Sequence, residues 1–479
     1  VKVSTQFNLG FTQSQLEFVD VDLERDMPFF VDPRALRLLD SEWAEECVAL
    51  IQDFFRFVLS KIAAGRDDEA KRLLSVLREP NETHLGLSRG VPRGHGLGDQ
   101  SASDVWEALS ESEAVRSGLL EDLEDTILMI PGISNDLISD MSTNIIRRPL
   151  IEFTQLSCRY HDIPLTTGIS SGPTWNPQLH EWENSFVELP MVDNHKLLLV
   201  PKVIVRRRLE YDPEDYYNHV ILEALQTVEL DANSELVQLL KNGSRRVTKK
   251  SLREKYGSGK TVIVDLTRQH PEFLERYRSL KRSSPRRPLS NAELSEDDYS
   301  SESPWDSLLD QLTAIEPGIE GANKYHRAVE ALLQALFYPA LVNPVRESRL
   351  HEGRKRIDIR FTNSAQEGFF WRVHHHHDVA AGYVVVECKN YKEDIGNPEL
   401  DQLAGRFSPT RGRLGLLLYR SANEQATCVQ RCKDAFHDNR GWILPLDDND
   451  LRALVAEKRS SPGSVTFSLL EERFAEIIS

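Results

Sequence analysis

Val384-Val385-Val386-Glu387-Cys388-Lys389, read with Arg356-Ile357-Asp358-Ile359-Arg360 upstream, decides how the C-terminal part of this chain folds. The β-branched run Val384 to Val386 predicts a buried central strand. Residues two apart on a strand project from one face, so Glu387 and Lys389 share a face and Cys388 turns away. A carboxylate and an ammonium at the end of such a strand are costly to desolvate unless each has a partner. Asp358, in a second apolar strand-like run, offers another carboxylate, and a divalent cation between the acids would satisfy both. Two carboxylates for a hard cation, with a lysine beside them, is the donor set of a metal-dependent phosphodiesterase.

The flanking segments extend this pattern. Residues 322–333 read as an amphipathic helix carrying Glu330, residues 398–403 as a helix carrying Gln402, and Leu414–Tyr419 as a further strand. The order of helix, Asp strand, Glu-x-Lys strand, Gln helix and strand resembles the PD-(D/E)XK nuclease superfamily and its Mrr-like branch, over residues 305–479. The resemblance implies an α/β restriction-endonuclease-like domain, a mixed central sheet flanked by helices. It implies Asp358 and Glu387 as metal ligands, Glu330 as their support, Lys389 as the catalytic lysine and Gln402 as a residue facing the site. It further implies Mg²⁺ or Mn²⁺ as cofactor, DNA as substrate and phosphodiester hydrolysis. A large unfamiliar domain fused to such a nuclease resembles bacterial restriction or anti-phage systems. The rival readings are a non-cleaving DNA-binding module, or an RNase or DNA-repair nuclease with the same chemistry. Cutting both strands would favour a homodimer.

The gap between Asp358 and Glu387 is long and contains Phe369-Phe370-Trp371 and four histidines, His374 to His377. It predicts a short helix or excursion inserted between the two strands, near the mouth of the site. Adjacent histidines in a regular element point in different directions, so a solvated loop or helix face is expected. A zinc or manganese site, or substrate contacts, is the alternative.

Charge divides unevenly. The 479 residues hold 58 Lys+Arg and 75 Asp+Glu, a net of −17. Residues 305–479 hold 22 against 25, a net of −3, which leaves 36 against 50, a net of −14, in residues 1–304. The near-neutral part also clusters its cations. Arg354, Lys355 and Arg356 precede the Asp strand, and Arg406, Arg411, Arg413 and Arg420 surround the strand after Gln402. These are the expected contacts to a phosphate backbone.

Hydrophobic residues at 40% and charged residues at 28% are an ordinary globular balance, and the length suits two or three domains. No apolar stretch approaches the ~18–20 residues that cross a bilayer, and the first residues carry no apolar signal core. Cytoplasm, without membrane attachment, is the expected location. Cys47, Cys158, Cys388, Cys428 and Cys432 form no paired metal-binding motif, and reduced thiols are expected.

Residues 281–304, rich in Ser, Pro and charge, predict a flexible linker. Residues 1–280 read as an α-rich α+β domain for sensing, targeting or assembly, through which a trigger or partner protein would act. Helical patterns cover residues 33–77, 103–128, 150–156 and 214–241; strands are expected within 195–208 and over 261–266. Gly257-Ser258-Gly259-Lys260-Thr261 imitates a phosphate loop, but Glu254 stands where the first glycine belongs and the expected strand replaces the helix such a loop needs. Residues 79–98 form a glycine-containing loop in which Arg89 and Arg93 would clamp a phosphate, or else an irregular connection. Asp122, Asp125, Asp136 and Asp140 read as caps and solvated faces, with a second metal site as the alternative.

Overall fold

In a computed structural model, described over residues 1–86, 99–295, 304–346, 359–391, 395–408, 412–420 and 425–479, the apolar side chains gather into two cores. One runs from Val3 to Leu294 and takes in Tyr338 and Val342; the other runs from Leu308 to Ile477. The fold is mixed α/β, with a five-stranded mixed sheet in the second core.

Two helices, α1 (Pro304–Thr313) and α2 (Ala322–Phe337), precede the sheet. Strands β1 (Leu341–Arg346), β2 (Ile359–Asn363), β3 (Tyr383–Lys389), β4 (Leu414–Tyr419) and β5 (Trp442–Leu446) lie across it in sequence order. The pairs β1–β2 and β2–β3 are antiparallel, whereas β3–β4 and β4–β5 are parallel. Parallel neighbours need long crossovers, and α4 (Asn397–Ala404) and α5 (Gln425–His437) provide them. Helix α3 (Gly368–His375) sits between β2 and β3, and α6 (Asp448–Ser460) and α7 (Ser468–Ile478) follow the sheet. Every residue of β4 and β5 is buried. Burial of both faces explains why these strands read as continuous apolar runs rather than alternating ones.

The edge strand β1 is blunted. Asn343 takes a left-handed φ of 47° and the pairing with β2 shifts between Val342 and Val345, around Pro344. A proline and a bulge both discourage pairing with a foreign strand. At the entry to β4, Gly412 has φ 89°, and a Cβ there would lie 2.7 Å from the Ala380 carbonyl oxygen. Only glycine fits.

The first core is built around the long helix Glu42–Ala63, which buries Leu50, Ile51, Phe54, Phe55 and Val58 at helical spacing. The helices Asn135–Ile145 and Arg147–Tyr160 pack beside it. Among the described residues, the strands there come as short antiparallel pairs. A buried ion pair, Arg278 to Asp125 at 2.5 Å, ties the helix Glu272–Ser283 to the rest.

Several expectations are corrected. Residues 261–266 belong to the helix Lys260–Gln269, not a strand. Its β-branched run suggested a strand, but Ile263, Val264, Leu266 and Thr267 are buried at helical spacing, so packing overrides propensity. Within 195–208 only His195–Lys196 and Val205–Arg206 are strands, with a 3₁₀ turn at Lys202–Ile204. The helical reading of 214–241 holds to Asp231, after which Gln238–Leu239 pairs with Arg245–Arg246 in a hairpin. The start of the expected linker is also ordered. Leu289 and Leu294 are buried, Arg287 pairs with Glu293 at 2.8 Å, and the Tyr338 hydroxyl donates to the Leu289 carbonyl at 2.7 Å. Residues 296–303 lie outside the described residues.

Candidate active site

Strand β3 runs Tyr383 to Lys389 at the centre of the sheet, and its last residues carry the polar groups. Glu387 and Lys389 are 2% and 5% exposed, on the shared face that their spacing demands. Lys389 Nζ donates to Glu387 Oε1 at 2.6 Å and to Gln402 Oε1, on α4, at 3.3 Å. The Lys389 ammonium also lies 5.7 Å from the centre of the Tyr391 ring. Burial pulls the Lys389 pKa down, but the Glu387 carboxylate, through its charge and hydrogen bond, outweighs it, so the pKa stands above the ordinary lysine value. Lys389 is therefore a held cation. Glu387 Oε2, by contrast, is buried with no hydrogen-bond partner among the described residues. Such an orphaned carboxylate oxygen is costly, and it is the atom a hard cation would take.

Helix α2 closes one side of this cluster. His326 Nε2 lies 2.9 Å from the carbonyl oxygen of Cys388, between Glu387 and Lys389, and must donate because a carbonyl only accepts. Glu330 is one turn further along α2, on the same face, and is 1% exposed. Gln402 and His326 thus reach β3 from two helices, and Glu330 lies on the His326 face of α2. Asp358 itself lies outside the described residues; its chain neighbour Ile359 pairs with Val386, the residue before Glu387.

The end of β3 is clamped by Asn390, to which the motif reading gave no role, and by Arg420, which the sequence placed among the phosphate contacts. Asn390 Nδ2 donates to the carbonyls of Glu316 at 3.0 Å and Gly318 at 2.9 Å, and Gly318 N donates back to the Asn390 carbonyl at 2.7 Å. At Gly321, which precedes α2, a Cβ would come within 2.9 Å of Asn390 Nδ2, so the backbone approach there excludes a side chain. Arg420, one residue beyond β4, is 10% exposed in its side chain and donates to Asp448 Oδ2 at 2.9 Å, Asn390 Oδ1 at 3.3 Å and the Thr313 carbonyl at 3.3 Å. His326 lay on the same helical stripe as Glu330 and could have been read from that spacing. The Asn390 and Arg420 contacts carry no sequence signal.

A sequence family described as a domain of unknown function (DUF8370) matches residues 8–212, under half of the chain and wholly within the first core. No curated protein and no solved structure matches the chain.

Other expected site residues are placed differently. Arg420 is spent on Asp448 and is not open to a phosphate backbone. Arg413 precedes Leu414, which pairs with Val384 at the opposite end of β3 from Glu387, and it donates to Asn439 Oδ1 at 2.8 Å. Arg406 follows the C-terminal end of α4, the helix that returns the chain toward that same far end. Arg354, Lys355, Arg356 and Arg411, like Arg89 and Arg93, lie outside the described residues.

The histidine run is also corrected. It leaves β2 after Asn363 and rejoins β3 at Tyr383, four residues or roughly 13 Å from Glu387, so it borders the far end of the strand and not the mouth of the site. His374 Nε2 lies 3.7 Å from Asp40 Oδ2, and His375 Nδ1 lies 2.9 Å from the carbonyl oxygen of Trp371, whose ring it also stacks against. Among the described residues, His376, His377 and Asp378 bring one donor atom each within 4.8 Å of one another.

The other motifs resolve into structure. Lys260, after the glycine loop, donates to the carbonyls of Ile130 at 2.8 Å and Ile133 at 2.9 Å, so a helix does follow that loop but its lysine faces protein. Asp122 holds Arg37 at 2.7 Å and Asp125 holds Arg278, while Asp140 is buried beside Asp136, Glu79 and Asp26. All five cysteines are buried and unbridged.

Proposed function

We propose that residues 305–479 form a metal-dependent DNA endonuclease of the restriction-endonuclease-like class. The observation that carries this reading is the buried cluster of Glu387, Lys389 and Gln402 at the end of the central strand, with Glu387 Oε2 left without a partner among the described residues. The helix-first order and the antiparallel-then-parallel sheet support the same fold class.

Glu387, Asp358 and Glu330 would hold Mg²⁺ or Mn²⁺, whose chemistry when bound is to neutralise phosphate charge and acidify a water. Lys389, held as a cation, is suited to donate to a phosphate oxygen or to orient a water, and not to accept a proton. Gln402 Oε1 restrains the ammonium from the α4 side, so that the lysine keeps its direction if its contact with Glu387 loosens. His326 holds the Cys388 carbonyl and thereby the angle between the two functional side chains. A role in bacterial restriction or anti-phage defence, controlled through residues 1–280, belongs to the same proposal; its support is an acidic N-terminal region with an apolar core of its own.

The test is incubation of the full chain with plasmid DNA, linear DNA and RNA, with and without Mg²⁺. Metal-dependent cleavage of DNA that disappears in Glu387→Gln is the expected result. Cleavage of RNA alone points to the ribonuclease reading. Equal cleavage by wild type and Glu387→Gln on every substrate refutes the assignment of this site.

A further inference from the structure

The first core is acidic, yet one of its segments is not. Residues 241–260 hold eight Lys+Arg and one Asp+Glu, inside a region of net charge −14. Arg245–Arg246 pairs with the preceding Gln238–Leu239 in a hairpin, and the helix Lys249–Tyr256 follows. Both hairpin strands are exposed at every position.

Part of this charge is used internally. Lys249 pairs with Glu223 at 3.1 Å, Lys255 with Glu229 at 2.5 Å, and Lys260 is turned onto two carbonyls. Lys250 reaches Glu254 only at 3.9 Å and is 87% exposed in its side chain. Lys241, Arg245, Arg246 and Arg253 meet no carboxylate among the described residues. Arg245 leans on the neutral Asn233 Oδ1 at 3.3 Å, and Arg253 donates to Asn218 Oδ1. Neutral acceptors orient a guanidinium without cancelling its charge.

We propose that the hairpin and the helix Lys249–Tyr256 form a contact surface for the phosphate backbone of duplex DNA. Charge complementarity selects the partner: on a body that otherwise repels polyanions, an uncancelled cationic ridge is where a duplex is steered. The helix pair Lys249–Tyr256 and Lys260–Gln269, joined across Gly257 to Gly259, has the connectivity of a helix-turn-helix. Its second helix is pinned, however, through Lys260 and through Arg268 to Glu113 at 3.2 Å. The contacts therefore position the backbone and read no base edges. The surface also supplies what Arg413 and Arg420, engaged with protein, do not. The choice of DNA as the polyanion rests on the endonuclease reading; the surface itself does not.

The experiment measures binding of a fluorescein-labelled duplex to the full chain by fluorescence anisotropy, in EDTA, across a range of salt. The quadruple variant Lys241→Ala/Arg245→Ala/Arg246→Ala/Arg253→Ala is expected to bind at least about tenfold more weakly. Its log–log salt slope should fall by about 3.6, at roughly 0.9 for each of the four phosphates no longer neutralised. The charge-keeping variant Arg245→Lys/Arg246→Lys/Arg253→Lys should stay near wild type, which separates charge from misfolding. Unchanged affinity and slope in the quadruple variant would overturn the proposal. So would an equal loss on removing Arg116 and Arg159, exposed cations elsewhere, or tighter binding of single-stranded RNA at the same residues. Because no metal is present, the result is independent of cleavage. Hairpin-dependent duplex binding with a catalytically silent Glu387 site would sink the nuclease reading and leave this one standing.

Discussion

Removing the Lys389 ammonium leaves Glu387 buried without its counter-charge, and breaking a buried pair in this way costs about 3–5 kcal/mol. Lys389→Met should therefore lower the urea midpoint sharply, while the double variant Glu387→Gln/Lys389→Met should recover most of the loss. A double variant as unstable as the sum of the singles would mean that the two groups do not act as a pair. The sign of the pH dependence follows from the raised Lys389 pKa: the stabilisation is complete below the ordinary lysine value and fades only as pH climbs through the higher folded value. The unpartnered Glu387 Oε2 makes a second residue-scale prediction. Mn²⁺ or Mg²⁺ should raise the melting temperature of wild type, by about 2.7 kcal/mol of added stability at a hundred times the dissociation constant, and Glu387→Gln should abolish the shift.

The ends of β3 and β4 are fixed by neighbouring elements, and Arg420 is the residue that joins them. Arg420→Ala leaves Asp448 without its arginine and Asn390 Oδ1 without a donor, so it should destabilise the chain by about 3 kcal/mol in urea denaturation and lower cleavage without weakening duplex affinity. A variant of normal stability with weaker DNA binding would restore Arg420 as a phosphate contact. This is also the scale at which the sequence was most informative and least complete. The strand β3 and the shared face of Glu387 and Lys389 follow from a β-branched run and a period of two, and β4 from a continuous apolar run, all of which local rules capture. The direction of Arg420 and the seat of the histidine run depend on which end of the sheet each connection meets, and no local pattern carries that. The helix Lys260–Gln269 was misread for a related reason, since a β-branched run looks the same whether a sheet or a groove between helices receives it.

At the scale of the whole molecule, two cores meet where Tyr338, at the end of the Glu330 helix, reaches Leu289 and lies under Lys202, whose ammonium is 4.1 Å from its ring. The acidic first core carries its own pH dependence. Burial, then the charges of Asp136, Glu79 and Asp26, push the Asp140 carboxyl up to about 8. The native state therefore binds that proton more tightly than the unfolded chain does, and stability falls as pH rises from about 4 to 8. Asp140→Asn removes this dependence, so its gain in melting temperature should be small at pH 5 and on the order of 5 °C at pH 8, read by a thermal melt at each pH. A gain that shrinks with pH would contradict the assignment. Control of the nuclease by this core presupposes that there is a nuclease to control, and the initial rate of plasmid nicking in Mg²⁺, compared between wild type and Lys389→Ala with both confirmed folded, tests that most directly. A fall of at least about a hundredfold in the variant is predicted, of the size that loss of one charged transition-state donor produces; equal rates would contradict the account.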